Sequence, residues 1–173
     1  MMKIYYNIII LLFFINSCST KVNTIKDDFY GITYYQTDYI SVKNWDTTIN
    51  LRLVSKEKNN IVLEAQYISS SAFTITEENK IVLKFSDDSF IYLNYTDNVK
   101  KLNKEEVYKT IKGWFFDTDY IDTYLVNASS EIYNLGILTD IRLENSEAFK
   151  NIKFPEDKAH KLLELFNEIK SIN

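Results

Sequence analysis

The feature that most constrains this chain is a hydrophobic period of two. Ile49, Leu51 and Leu53 alternate with Asn50 and Arg52, and Ile61, Leu63, Ala65 and Tyr67 alternate with Glu64 and Gln66. Successive side chains of a strand point to opposite faces, so such runs describe a sheet with one buried side. Lys56 to Asn60, between the two runs, reads as a hairpin turn. The pattern returns at Phe73 and Ile75, at Ile81, Leu83 and Phe85, and at Ile91, Leu93 and Tyr95, with turns expected at Glu77 to Lys80 and Ser86 to Ser89. With one more strand expected at Gly31 to Val42, about five or six short antiparallel strands precede residue 96.

Composition limits how those strands are joined. The chain has 3 Gly and 1 Pro, so Asn, Asp, Ser and Lys must make most turns, while 13 Tyr and 11 Phe suit strands. Its 46% hydrophobic and 25% charged residues are the balance of a globular protein, and 173 residues suit a single domain. Neither a solenoid-length repeat nor a Gly-rich phosphate loop is visible, which gives nucleotide binding no support.

Helical signals are confined to the second half. Asn103 with Glu106 reads as a capping box, Val107 and Ile111 share a face, and Gly113 stands where a left-handed cap is needed. A short helix is expected from Ser129 through Ile132 and Leu135 to Gly136, followed by a strand carrying Ile137, Thr139, Ile141 and Leu143. The clearest helix closes the chain. Pro155 stands at its first position, Glu156 and Asp157 lie in its first turn, and Ala159, Leu162, Leu163, Phe166 and Ile169 form one stripe. A one-sided sheet needs a cover and this helix is the available one, so the expected class is α+β: an antiparallel sheet or sandwich of about six to eight strands under a C-terminal amphipathic helix.

The first eighteen residues carry a different signal. Lys3 is followed by an apolar stretch from Ile4 to Ile15, unbroken from Ile8, and then by the polar run Asn16 to Lys21. That is the layout of a signal peptide and is shorter than the ~20 apolar residues a membrane-crossing helix needs. Ile15-Asn16-Ser17-Cys18 resembles the lipobox of bacterial lipoproteins, with an aliphatic residue three places before the cysteine and a small one directly before it. The resemblance covers Met1 to Ser19, and Asn16 departs from the commoner small residue. It implies cleavage before Cys18 and attachment of diacylglyceryl, and often a further acyl chain such as palmitate, to that residue, which makes a membrane the first partner. Ser19, rather than Asp, resembles outer-membrane sorting. The expected organisation is a signal peptide at 1–17, a lipidated tether at 18–28 able to extend ~30 Å, and one β-rich domain at 29–173.

Loss of the signal takes Lys+Arg from 20 to 19 against 24 Asp+Glu, a net charge of about −5 that repels phosphate backbones and argues against nucleic acid. The single cysteine belongs to the targeting segment and His160 is the one histidine, so common zinc sites and Ser-His or Cys-His nucleophiles lack parts. No metal or other cofactor is expected. His160 itself reads as a helix-surface residue between Glu156 and Glu164. Asp87 and Asp88 read as turn chemistry, and Asp46-Thr47-Thr48 as a solvated turn, although it resembles a short bacterial O-glycosylation acceptor.

The segment Trp114, Phe115, Phe116, Asp117, Asp119, Tyr120, Asp122 and Tyr124 is the densest mixture of aromatics and carboxylates. Consecutive rings on a strand point to opposite faces, so an exposed recognition patch and burial on both sides stay open as readings. Tyr34, Tyr35, Tyr39 and Trp45 pose the same choice. The expected function is an envelope lipoprotein with a non-enzymatic module that binds a protein or glycan through such rings. Two other classes remain: an acidic inhibitor or immunity protein that blocks a cationic cell-wall hydrolase, and a hydrolase using carboxylates such as Asp117 and Asp119.

Overall fold

The computed structural model describes residues 21–44, 46–57, 60–69, 80–96, 100–106, 120–144 and 149–172. Among these residues eleven strands make one antiparallel sheet: β1 (Val22–Asp27), β2 (Ile32–Thr37), β3 (Ile40–Lys43), β4 (Thr47–Glu57), β5 (Asn60–Ser69), β6 (Lys80–Phe85), β7 (Phe90–Tyr95), β8 (Lys100–Glu106), β9 (Tyr120–Ile132), β10 (Leu138–Glu144) and β11 (Phe149–Lys153). The helix α1 (Glu156–Ile172) follows. The strand order is β1-β2-β4-β5-β9-β7-β6-β10-β11, with β3 beside β4 and β8 beside β9. The α+β class holds, and the sheet is larger than the expected six to eight strands.

The period of two sets the inward face. Ile49, Leu51 and Leu53 of β4, Leu63, Ala65 and Tyr67 of β5, Val126 and Ala128 of β9, Ile81 and Leu83 of β6, and Ile141 and Leu143 of β10 all join one buried cluster. Into it α1 puts Ala159, Leu162, Leu165, Phe166 and Ile169. The helix touches β1, β2 and β4 near one end of the strand order and β10 near the other, so the sheet curls around it rather than lying flat beneath it. Embraced on two sides, α1 buries a wider arc than the expected stripe. Leu165 is fully buried, and Leu163 only packs at the margin.

Five expectations need correction. The stretch expected to be tether up to Asp28 holds β1, which pairs along its whole length from Val22↔Thr37 to Asp27↔Ile32. As an edge strand β1 needs only a partly buried side, and Ile25 with Asn23 supplies it without an obvious apolar run. The single strand expected at Gly31 to Val42 is broken at Asp38 and Tyr39, where Thr37 turns inward and its hydroxyl accepts the Leu53 amide at 3.0 Å in place of a ladder bond.

The capping-box helix expected from Asn103 is strand up to Glu106, while Val107, Ile111 and Gly113 lie outside the described residues. Beyond its pairing with β7 at Asn94↔Ser129 and Tyr95↔Ala128, β9 has unfilled backbone groups, and Lys100–Glu106 fills them. The helix expected at Ser129 is the end of β9, held by β5 through Ile61↔Ile132. Here a ladder partner outweighs weak local propensity. In β10 the register slips between Leu138 and Asp140, so Leu138, Ile141 and Leu143 face inward instead of the evenly alternating set from Ile137. The strand expected around Phe73 and Ile75 lies outside the described residues.

Candidate ligand-binding face

The outward positions of β7, β6, β10 and β11 form a grid. Tyr92, Val82, Arg142 and Asn151 stand in one row of cross-strand partners. Phe90, Lys84, Asp140 and Lys153 form the next, and Glu144 opposite Phe149 stands on the other side of the first. Most of these residues line an open groove of about 510 Å³, within the ~300 to 1,000 Å³ of small-molecule sites.

Two rings of its lining are exposed, Phe90 at 53% and Tyr92 at 59% accessible, and Phe149, 61% accessible, stands on the same face outside the lining. The floor at the centre is Val82, 6% accessible beneath its neighbours. Each polar group is already held. Arg142 Nε donates to Asn151 Oδ1 at 2.8 Å, its Nη1 lies 3.5 Å from Glu144, and its guanidinium stands 4.4 Å from the centre of the Phe149 ring. Lys153 pairs with Asp140 at 2.8 Å. Lys84 pairs with Asp88 at 2.7 Å and lies 5.9 Å from the Phe90 ring centre. Burial works against the Asp140 charge, but hydrogen bonds from Lys153 and Thr139 and the ammonium groups of Lys153 and Lys84 outweigh it and hold its pKa below the usual carboxylate value.

The β6–β7 hairpin beside this face is built as its sequence suggests. Asp87 accepts from the Ser89 amide at 3.0 Å and hydroxyl at 2.6 Å, which holds the Asp87 carboxyl below its usual range, and Asp88 adopts φ 61°. Asp28 to Gly31 make a second displayed turn. Asp27 caps the Phe29 and Tyr30 amides at 3.1 and 3.2 Å, Gly31 supplies φ 65°, and both rings project into solvent.

Among the described residues, none that the sequence singles out as a candidate lines this groove. Cys18, Trp45, Trp114, Phe115, Phe116, Asp117 and Asp119 lie outside the described residues, as do the side chains of Tyr120 and Asp122. Tyr124 is half-buried and packs on the core. Tyr34 and Tyr35 are half-buried in β2, and Tyr39 is exposed with the Arg52 guanidinium 4.8 Å from its ring centre. His160 is exposed on α1, 3.7 Å from Glu156.

Asp46 and Thr47, expected in a solvated turn, are instead buried. Lys150 of β11 reaches in from the far end of the sheet to pair with Asp46 and donates to the Thr47 hydroxyl at 2.7 Å. The Thr47 hydroxyl is therefore closed to glycosylation. Phe90 and Tyr92 did have a sequence signal: with Ile91 and Leu93 facing the core, strand geometry turns both rings outward.

Among the described residues no group of three or more His, Cys, Asp or Glu side chains is placed to hold a metal ion, and no helix is long and apolar enough to cross a membrane. No protein-family model, curated protein or solved structure matches the chain.

Proposed function

We propose that the protein is a lipid-anchored lipoprotein of the bacterial envelope whose domain is a non-enzymatic binding module for a protein or glycan, with the outer face of β6, β7, β10 and β11 as its recognition surface. The observation that carries this reading is the set of three rings, each more than half exposed, beside polar groups fixed by their own partners on paired strands. Rings left largely in water add little to the core, and a pre-ordered surface loses little entropy on binding. The lipobox-like Ile15 to Cys18 supports display at a membrane, with the outer membrane favoured by Ser19.

The test combines localisation with surface truncation. Cys18→Ser is expected to abolish fatty-acid labelling and to leave an unprocessed or soluble form. Phe90→Ala, Tyr92→Ala and Phe149→Ala are each expected to change stability by less than about 0.5 kcal/mol while weakening capture of envelope material by about 1 kcal/mol or more. Unchanged capture by all three variants would remove this face from the reading, and unchanged membrane fractionation of Cys18→Ser with no loss of labelled fatty acid would remove the anchor.

A further inference from the structure

Phe90 and Tyr92 stand two residues apart on β7, so their outward rings are about 7 Å apart along the strand, and Phe149 lies three strand spacings across, about 14 Å, and one row beyond Tyr92. Between these margins the groove is lined by Lys84 and Arg142 and by Asp140 and Glu144, two cations against two carboxylates. Among the described residues the lining thus carries no net charge, in a chain whose formal charge is −4. Nor is any of the four waiting for a counterion: Arg142 is engaged by Glu144, Asp140 by Lys153 and Lys84 by Asp88. A charged ligand therefore finds no unpaired counter-charge among these four. What the paired groups still offer is hydrogen-bonding capacity, with spare lone pairs on Asp140 and Glu144 and spare N–H groups on Arg142 and Asn151.

A protein-docking surface has the opposite anatomy. Its centre is apolar and poor in charge, with a polar rim. Here the apolar floor is the single residue Val82, the charged Lys84, Asp140, Arg142 and Glu144 lie around it, and the rings stand at the edge. Rings bordering a row of mixed donors and acceptors suit a ligand with apolar C–H faces and many neutral hydroxyls. We infer that this groove binds a neutral oligosaccharide, with sugar rings stacked on Tyr92 and Phe90 and hydroxyls hydrogen-bonded to Asp140, Arg142, Glu144 and Asn151. The inference rests on the binding role proposed above and adds the ligand class.

The experiment uses the full-length chain in a detergent without a sugar headgroup, titrated against immobilised neutral oligosaccharides of glucose, mannose, galactose, xylose and N-acetylglucosamine in α and β linkage, with oligogalacturonate as the anionic probe. Saturable binding to at least one neutral oligosaccharide is expected, and it should change little with salt because no net charge is matched. Tyr92→Ala and Phe90→Ala are expected to raise Kd about tenfold or more, Tyr92→Phe to retain binding, and Tyr30→Ala on the distant hairpin tip to leave it unchanged. Thermal unfolding of each variant reports whether the fold is intact. Binding of no neutral oligosaccharide, or of oligogalacturonate alone, overturns the inference. If envelope capture nonetheless depends on Tyr92, the recognition face stands and only its ligand class falls. A neutral oligosaccharide that binds Tyr92→Ala as tightly as the parent chain overturns both the stacking and the placement of the site.

Discussion

Tyr67 is 0% accessible at an inward position of β5, and among the described residues its hydroxyl has no well-formed hydrogen bond. Burial pushes its pKa up to about 12; nearby Thr47 and Ser69 hydroxyls ease the shift without closing an aligned bond, and the Asp46 charge adds to it. Tyr95, also with its hydroxyl buried, is raised by burial and by Tyr67. A folded-state pKa above the unfolded value of about 10 means the folded chain keeps a proton that the unfolded chain loses. The stability from this is fully present below pH 10 and lost as pH rises from 10 towards 12, at up to about 1.4 kcal/mol per pH unit for each such group. Urea unfolding across that window should show the decline. Tyr67→Phe should make it shallower while costing little at neutral pH, since no bond is lost, and an unaltered alkaline slope would refute the assignment. The apolar neighbours of Tyr67 in β5 announce its inward direction in the sequence. Its polar neighbourhood was not legible, because Asp46 looks like a turn residue until Lys150, 104 positions later, is brought to it.

Among the elements, α1 was the most legible because a period near 3.6 is carried by side chains the fold then buries. Its start lies one residue later than expected: Glu156 is the first helical residue, and the Pro155 carbonyl before it accepts the first i to i+4 bond, from Ala159 at 2.9 Å. What the sequence left open was how far the sheet wraps, and that decides between Leu163 and Leu165. Phe166→Ala is expected to cost about 3 to 5 kcal/mol, Leu165→Ala about 2 to 5, and Leu163→Ala distinctly less, as read from denaturant midpoints. Equal losses at Leu163 and Leu165 would mean the sheet does not embrace the helix as described. In contrast, β8 was illegible. Lys100 to Glu106 has no apolar alternation, and it is strand because β9 presents an open edge beyond the end of β7. An element made by its neighbour leaves no local period to find.

At the scale of the molecule, the curl brings β11 back to the start of β4, where Lys150, Asp46 and Thr47 join opposite ends of the strand order. Replacing Lys150 by Met leaves a buried carboxylate without its cation and is expected to cost about 3 to 5 kcal/mol, while adding Asp46→Asn should return a good part of that loss. Chemical denaturation of the single and double variants measures the difference, and equal instability of the two would show that the pair does not act as a unit. The sheet-plus-helix plan was legible from alternation and one amphipathic stripe, but the closure was not, since two isolated charges give no sign of meeting. The place of β1 at the sheet edge has a consequence for reach. With lipid on Cys18, as proposed, only Ser19, Thr20 and Lys21 separate the anchor from Val22, a leash of about 13 Å at roughly 3.3 Å per residue. So short a leash holds the domain against the bilayer it is fixed to, concentrating it on whatever material coats that surface and denying it anything a long arm would have to fetch.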